Sequence, residues 1–281
     1  MIRKCFRMLF SSCLVLVLLC TVVACDSGLA PGEELPSAEE IIEGVIEAQA
    51  NLTTGRQDFD MDMTMNIAYS GMTGKVTMSM SGEIAADFSN RELEAEMSMS
   101  QKVSAEGQTQ SIKGDILMYI IDDTEYTKMD MPGEYSGWQK YTLSTFELDE
   151  IWEAANYISA YADLLEDSDI TVRKVQTVNG VRCYVVDVQP TMSGLANLIE
   201  QQELAADTGL PFDYSDMFKS FFVRYWIAKD SYDIIRATVE ATLELEEAGY
   251  DISGSMQMTA NGWDYGEPIS IDVPAAALNA D

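Results

Sequence analysis

The chain has 281 residues, and its 47 acidic side chains against 17 basic ones give a net charge of −30. This charge excludes nucleic acid as a partner, because binding it requires Lys and Arg side chains that neutralise phosphates. The absence of histidine excludes Ser-His-Asp and Cys-His catalytic pairs as well as histidine-ligated zinc and haem sites. Hydrophobic residues make up 47 % of the chain, which is enough for a packed core.

Residues 1–24 have the pattern of a signal peptide. Three basic residues precede an apolar run that is short for a membrane span, and this run ends at Ala24. The segment Val22–Cys25 resembles the lipobox of bacterial lipoproteins, in which the cysteine becomes the acylated N-terminus. We therefore predict lipidation at Cys25, and the alternative is an uncleaved membrane anchor. In both cases the body of the protein lies outside the cytoplasmic membrane.

A lipid on Cys25 would anchor the protein to the outer leaflet of the cytoplasmic membrane, in the periplasm or on the cell surface. The body is too acidic for its overall charge to hold it at anionic headgroups, so the acyl chains must supply the attachment. Residues 25–36 contain two prolines and two glycines and predict a flexible tether. Cys183 is then left alone, which excludes an intramolecular disulfide, and its β-like surroundings predict a small buried residue.

Residues 37–281 predict a single domain that begins with an amphipathic helix. Ser37 and Glu40 form a capping box, in which Ser37 caps the helix and Glu40 reaches back to the cap. Apolar residues from Ile41 to Leu52 recur at helical spacing, with acidic residues elsewhere around the helix.

From Gln57 the period of the pattern changes to two, which is typical of strands with one buried face. Apolar and polar residues alternate from Asp58 to Tyr69, and the alternation returns around Met80 and Met97. Weaker alternation continues as far as residue 143. Short turns rich in Gly, Asn and Ser separate these runs, so we predict an antiparallel meander.

The second half of the chain mixes helices with hairpins. Helical spacing returns from Leu148 to Leu165, and a less regular helix is predicted from Pro190 to about Ala206. Between them, Asn179-Gly180 is a strong signal for a type I′ hairpin turn. A strand over residues 221–228 and a final hairpin over residues 235–260 complete the series.

This order of elements resembles the LolA/LolB and LppX/LprG superfamily of bacterial lipoproteins and lipoprotein carriers. The segments most similar to that family are Ala38–Met65, Val178–Val188 and Asp264–Ile269. The resemblance implies an α+β fold, a strongly curved antiparallel β half-barrel with helices packed on its concave face. It also implies an apolar cavity between sheet and helices that holds acyl chains. LolA itself is a soluble carrier, so the lipobox makes this chain more similar to the anchored members.

Methionine is the most informative residue type, with 17 in the chain. Its unbranched, polarizable side chain adapts to irregular apolar partners, which suits a site for a hydrophobic ligand. The alternative is that these side chains fill the space between sheet and helices and leave no cavity. The candidate cavity residues are Phe59, Met61, Met63, Met65, Met78, Met80, Met97, Met99, Tyr225, Ile227, Leu243 and Met258.

No cofactor, metal site or catalytic site is predicted. Asp58, Asp60 and Asp62 suggest a calcium loop, but Met63 stands where an EF-hand requires glycine and Tyr69 where it requires a bidentate glutamate. We interpret these acids as a solvated outer face. A glycosidase needs only two carboxylates, and nothing in the sequence isolates such a pair in an apolar setting.

The sequence therefore predicts a monomeric, non-catalytic lipoprotein that is attached to the membrane through its N-terminal lipid. Its predicted ligand is a lipid or lipid-linked molecule, bound for transport or presentation. The alternative is an envelope lipoprotein with a filled core, whose role is structural or whose outer surface binds a protein partner.

Overall fold

The structure is a computed structural model, and it is built on one antiparallel sheet. It describes residues 24–25, 34–131, 137–145, 148–149, 151–152, 165, 168–195, 218–247 and 249–280. The described strands are β1 (Ala24–Cys25), β2 (Thr54–Tyr69), β3 (Met72–Asp87), β4 (Glu92–Ala105), β5 (Gln108–Ile121), β6 (Thr124–Asp130), β7 (Trp138–Thr142), β8 (Ser168–Val178), β9 (Val181–Pro190), β10 (Phe218–Ala228), β11 (Ile234–Glu247) and β12 (Tyr250–Trp263).

The strands lie in the order β1-β8-β9-β10-β11-β12-β2-β3-β4-β5-β6-β7. Each meander therefore keeps its chain order, and the pairing of β12 with β2 joins the two meanders into one sheet. The edges of the sheet are β7 and the two-residue β1, so the sheet of described strands is not closed into a barrel. This architecture confirms the predicted α+β half-barrel.

Helix α1 (Ala38–Ala50) begins at the predicted capping box. The Glu40 backbone N–H donates to Ser37 Oγ at 3.1 Å, and the Ser37 N–H donates to Glu40 Oε2 at 2.7 Å. Ile41 is buried in the main core, and Gly44 lies against the ring of Tyr232, where a Cβ atom would be 2.3 Å from Cδ1. The helix is thus held against the turn that follows β10.

The two helices predicted in the second half are described in part. Residues 145, 148–149, 151–152 and 165 are helical, and so are residues 192–195. Pro190, the predicted start of the later helix, is the last residue of β9 instead. The remaining residues of both predicted helices lie outside the described part of the chain. None of the described helices is long and apolar enough to cross a membrane.

The Asn179-Gly180 turn has the predicted geometry. Both residues have positive φ, 48° and 84°, as a type I′ turn requires, and they join β8 to β9. Ser70-Gly71 has nearly the same φ values, 49° and 82°, between β2 and β3. These tight turns keep neighbouring strands in register over their whole length, which positions the side chains of the inner face.

The C-terminal segment returns across the outer face of the sheet. Tyr265 donates its hydroxyl to the Ile234 carbonyl at 2.5 Å and packs against a small buried cluster that contains Trp226. Further along, Ile271 and the short helix α2 (Ala275–Leu278) pack with buried aromatic residues of β5 and β6. The outer face is therefore covered in two places, which the strand alternation did not predict.

Candidate ligand-binding face

Methionines of adjacent strands are direct register partners on the inner face of the sheet. Met258 of β12 pairs with Met61 of β2, Met61 pairs with Met80 of β3, and Met80 pairs with Met99 of β4. Neighbouring strands are about 4.8 Å apart, so this row extends about 14 Å across the sheet. Val239 continues the row on β11. The alternating apolar residues of these strands therefore form one continuous, flexible apolar surface.

Two parallel rows extend this surface. On one side, Met63 pairs with Met78 and with Met256. On the other side, Phe59 pairs with Ala260 and with Gly82, and Gly82 pairs with Met97. We call the inner-face side chains of these three rows the Met face, formed by Phe59, Met61, Met63, Met78, Met80, Met97, Met99, Met256 and Met258.

The structure brings ten of the twelve candidate residues into the main core cluster. Met65 and Leu243 lie instead in a separate cluster toward the tips of the hairpins. Met63, Met65 and Met99 are half-buried, and the other nine are buried: Phe59, Met61, Met78, Met80, Met97, Tyr225, Ile227, Leu243 and Met258. The half-buried methionines therefore mark where the Met face is least covered.

Apolar side chains from outside the sheet share the main core cluster with the Met face. Ile41 of α1, Trp152 of the first helical insertion and Leu195 of the second are all buried in the main cluster. Leu143, which follows β7, belongs to the same cluster. Helical spacing predicted Ile41 and Trp152 only as apolar-face positions of helices, and none of these four residues is among the predicted cavity residues.

The first insertion is held at the turn between β3 and β4. The ring of Trp152 packs edge-on against Phe88 with centroids 6.0 Å apart, and Arg91 Nη1 lies 2.8 Å from Asp149 Oδ1. Trp152 Nε1 is buried but donates no hydrogen bond to any described residue. Buried N–H donors in proteins nearly always have an acceptor. The Trp152 N–H therefore requires an acceptor that the described residues do not supply.

The outer face of the same strands is acidic and rich in serine. One register row contains Asp60, Ser81, Ser98, Asp115 and Asp130. Ser98 Oγ donates to Asp115 Oδ1 at 2.6 Å, and the row lines a surface depression of about 670 Å³. Within the described residues, the acids form no group of three that could hold a metal ion.

Comparison with known proteins places the chain in a family. A family model described as "Family of unknown function (DUF6612)" matches residues 37–281, and the chain belongs to that family. No curated protein matches the chain in sequence.

Several solved structures are similar to the chain. The lipoprotein LppX of Mycobacterium tuberculosis shares 13 % identity with a TM-score of 0.38, over 85 % of this chain and 100 % of that one. LprF from Mycobacterium bovis shares 12 % identity with a TM-score of 0.41, over 89 % and 100 %. An outer membrane lipoprotein-sorting protein domain from Vibrio parahaemolyticus shares 12 % identity with a TM-score of 0.24, over 83 % and 95 %. LppX is one of the lipoproteins that the sequence resembles.

Proposed function

We propose that this protein is a membrane-anchored extracytoplasmic lipoprotein that binds a hydrophobic ligand between the Met face and its helical cover. The ligand is a lipid or lipid-linked molecule, held without a covalent bond or a chemical step, for transport or presentation. The lipid on Cys25 attaches the protein to the outer leaflet of the cytoplasmic membrane, and residues 26–36 tether the body to it.

The observation that carries this proposal is the unbroken register row from Met258 to Met99. Four methionines in direct contact positions give a surface that changes shape through side-chain rotation, which fits acyl chains of varying length. Each CH₂ group that leaves water contributes about 0.8 kcal/mol, so an acyl chain binds here without a polar contact. The buried Trp152 N–H supplies a donor for an ester or amide carbonyl at the end of such a chain.

Entry to the Met face requires the helical cover to separate from the sheet. The Arg91–Asp149 pair holds the first insertion, and its side chains are about half exposed, 48 % and 45 %. Exposed ion pairs contribute about 0–1 kcal/mol, so this contact opens at little energetic cost.

Native mass spectrometry with lipid extraction tests the proposal. The mature chain carrying Cys25→Ser, expressed in a bacterial periplasm, is expected to co-purify with lipid of defined stoichiometry. Delipidated protein is expected to take up offered fatty acids or phospholipids. A chain that is folded, free of lipid and unable to take it up would contradict the proposal.

A charged side chain placed on the Met face locates the site. Met97 is only 4 % exposed, so a charge there would disrupt the core and the result could not be interpreted. Met63 is half-buried and accepts the change better, so Met63→Asp is expected to abolish lipid uptake while secretion continues. The matched control is Asn66→Asp, which adds the same charge to an exposed position of the same strand. Equal uptake by both variants would remove the Met face from the site.

A second candidate function follows from the burial of nine candidate residues. If their mutual packing leaves no room for a ligand, the protein is a non-catalytic envelope lipoprotein with a filled core and a protein partner. The same mass-spectrometry experiment separates the two functions, since only a filled core excludes every offered lipid.

A further inference from the structure

Charge is distributed unevenly over the sheet. Strands β8 to β10 carry five basic and two acidic residues, whereas β2 to β4 carry three basic and eight acidic residues. The basic residues of the first group are Arg173, Lys174, Arg182, Lys219 and Arg224, and its acids are Asp169 and Asp187. Lys219 pairs with Glu244 of β11, so Arg173 and Arg224 are the basic residues of interest.

Two arginines of this region share one buried carboxylate. Asp187 is 5 % exposed and accepts hydrogen bonds from Arg224 Nε at 2.6 Å, Arg224 Nη2 at 2.9 Å and Arg173 Nε at 2.8 Å. Burial raises the pKa of Asp187, but the hydrogen bonds and charges of both arginines outweigh it and leave the pKa below its ordinary value. The carboxylate is therefore ionised and neutralises only one of the two guanidinium groups.

The N–H groups of Arg173 and Arg224 that do not bind Asp187 belong to exposed side chains. Arg173 is the extra residue of a β-bulge between Val172 and Lys174, and such bulges re-aim side chains. The Arg173 and Arg224 side chains are 56 % and 41 % exposed, although the carboxylate between them is buried. Both Nη atoms of Arg173 and Nη1 of Arg224 remain available, since no described residue accepts from them.

The surroundings fix the direction of this cluster without cancelling its charge. The Arg224 guanidinium lies over the Phe222 ring, 5.5 Å from its centroid. Glu240 of β11 is the further acid whose charge acts on Arg224. Asp187 neutralises one of the two guanidinium groups, so the three-residue cluster keeps one positive charge and holds both guanidinium groups side by side.

We propose that the Arg173–Asp187–Arg224 cluster binds the phosphate group of an anionic phospholipid and so turns the outer face of β8 to β10 toward the membrane. Guanidinium groups bind phosphate through paired, charge-assisted hydrogen bonds, and a rigidly held pair loses little entropy in doing so. The cluster lies on an open surface rather than in a cavity, so a membrane, which offers many phosphates at once, suits it better than a single free ion.

The predicted tether allows this orientation. Residues 26–36 separate the lipidated Cys25 from the body, so the arginine cluster can reach the surface that holds the lipid. The inference goes beyond the proposed ligand binding, because it needs no cavity.

Energy transfer on the lipidated protein, reconstituted in vesicles, tests this orientation. A donor dye is attached to the Ser220→Cys variant on the outer face of β10, and the acceptor is a dye-labelled lipid at the vesicle surface. A second donor on the Ser111→Cys variant reports on β5, far from the cluster in the order of the strands. In vesicles with about one third phosphatidylglycerol, transfer from position 220 is expected to exceed transfer from position 111. In pure phosphatidylcholine the two should be similar.

Arg173→Gln is the decisive variant, because it keeps the Arg224–Asp187 pair and therefore the fold. The ratio of docked to undocked protein is expected to fall about fivefold, the equivalent of about 1 kcal/mol per basic residue at an anionic surface. Lys102→Gln removes the same charge from the exposed outer face of β4 and is expected to have little effect. Equal responses of the two variants would overturn the proposal. So would loss of docking in millimolar inorganic phosphate at constant ionic strength, which would assign the cluster to free phosphate.

Discussion

The ring of Phe59 lies directly over Gly82, its register partner on the neighbouring strand. A Cβ atom on Gly82 would be 2.9 Å from Phe59 Cε1, 2.9 Å from Met97 Cγ and 2.4 Å from the backbone oxygen of Glu96. The glycine therefore provides the space that the largest side chain of the Met face occupies. Gly114 has the same relation to Met131, whose Cγ would be 2.1 Å from a Cβ atom.

Gly82→Val is expected to destabilise the protein, although valine favours strands. The new side chain would displace Phe59 and Met97 and would contact backbone that cannot move cheaply, so we expect a loss of about 1–3 kcal/mol in the free energy of unfolding. Urea denaturation measures it. Gly74→Val is the control on the same strand, where the nearest atom is 3.5 Å from the added Cβ. Equal losses for the two variants would show that the space above Gly82 is not filled.

The sequence predicted the Met face because strand alternation depends only on local spacing. It could not predict that Gly82 and Gly114 interrupt that face in order to hold Phe59 and Met131, because the filling side chains come from other parts of the chain. Trp152 was placed on an apolar helix face, but its contact with Phe88 depends on a return of the chain that no periodicity encodes.

On the outer face, too, local periodicity could not predict contacts between distant parts of the chain. The sequence placed Tyr225 and Ile227 on the inner face, but it did not predict that Tyr265 would return from the C-terminal segment and cover the cluster around Trp226. The unbroken apolar run Tyr225–Ala228 was the available signal, since strands that are buried on both faces lose their alternation. The Arg173–Asp187–Arg224 cluster gave no such signal, because its members lie on three different strands.

Arg236→Met is expected to raise stability. Arg236 is 1 % exposed, its Nε and Nη2 atoms donate to no described residue, and burial lowers its pKa to about 10. It remains charged at neutral pH, and its contact with the Trp226 ring, 5.1 Å away, offsets only part of the desolvation cost. Replacing a poorly paired buried charge with an apolar side chain typically stabilises by about 1–4 kcal/mol.

Thermal and urea unfolding of Arg236→Met measure this gain. The control is Arg224→Met, which removes an arginine from the same sheet but leaves buried Asp187 with one partner fewer, so it should lower stability. If both variants lose stability, Arg236 is paired in solution by a group that the described residues do not include.

Cys183 is expected to be unreactive in the native protein. Its side chain is fully buried, and burial raises the pKa of the thiol to about 12, although the charge of Arg236 acts in the opposite direction. The thiolate is the reactive form, so an aromatic disulfide reagent at pH 8 should modify Cys183 only after unfolding in urea. In the Cys25→Ser background, the Ser220→Cys variant provides an exposed reference thiol. Comparable rates at both positions would contradict the burial of Cys183.

Asp187→Asn is expected to destabilise the protein in a pH-dependent manner. The pKa of Asp187 is lowered in the folded state, so its contribution to stability is fully present above the pKa of the unfolded carboxyl group and is lost as the pH falls through the folded value. At neutral pH, breaking this buried pair should cost about 3 kcal/mol, because two guanidinium groups lose their common counter-charge. The difference between wild type and variant should begin to shrink as the pH falls through the ordinary pKa of a carboxyl group, about 4, and should disappear only below the lowered pKa of folded Asp187. Urea denaturation between pH 3 and pH 7 measures this difference, with Asp62→Asn as an exposed control that changes stability by less than about 0.5 kcal/mol. A loss in Asp187→Asn that is constant over this range would mean that the charge of Asp187 does not hold the two arginines, and the proposed phosphate site would lose its rigid base.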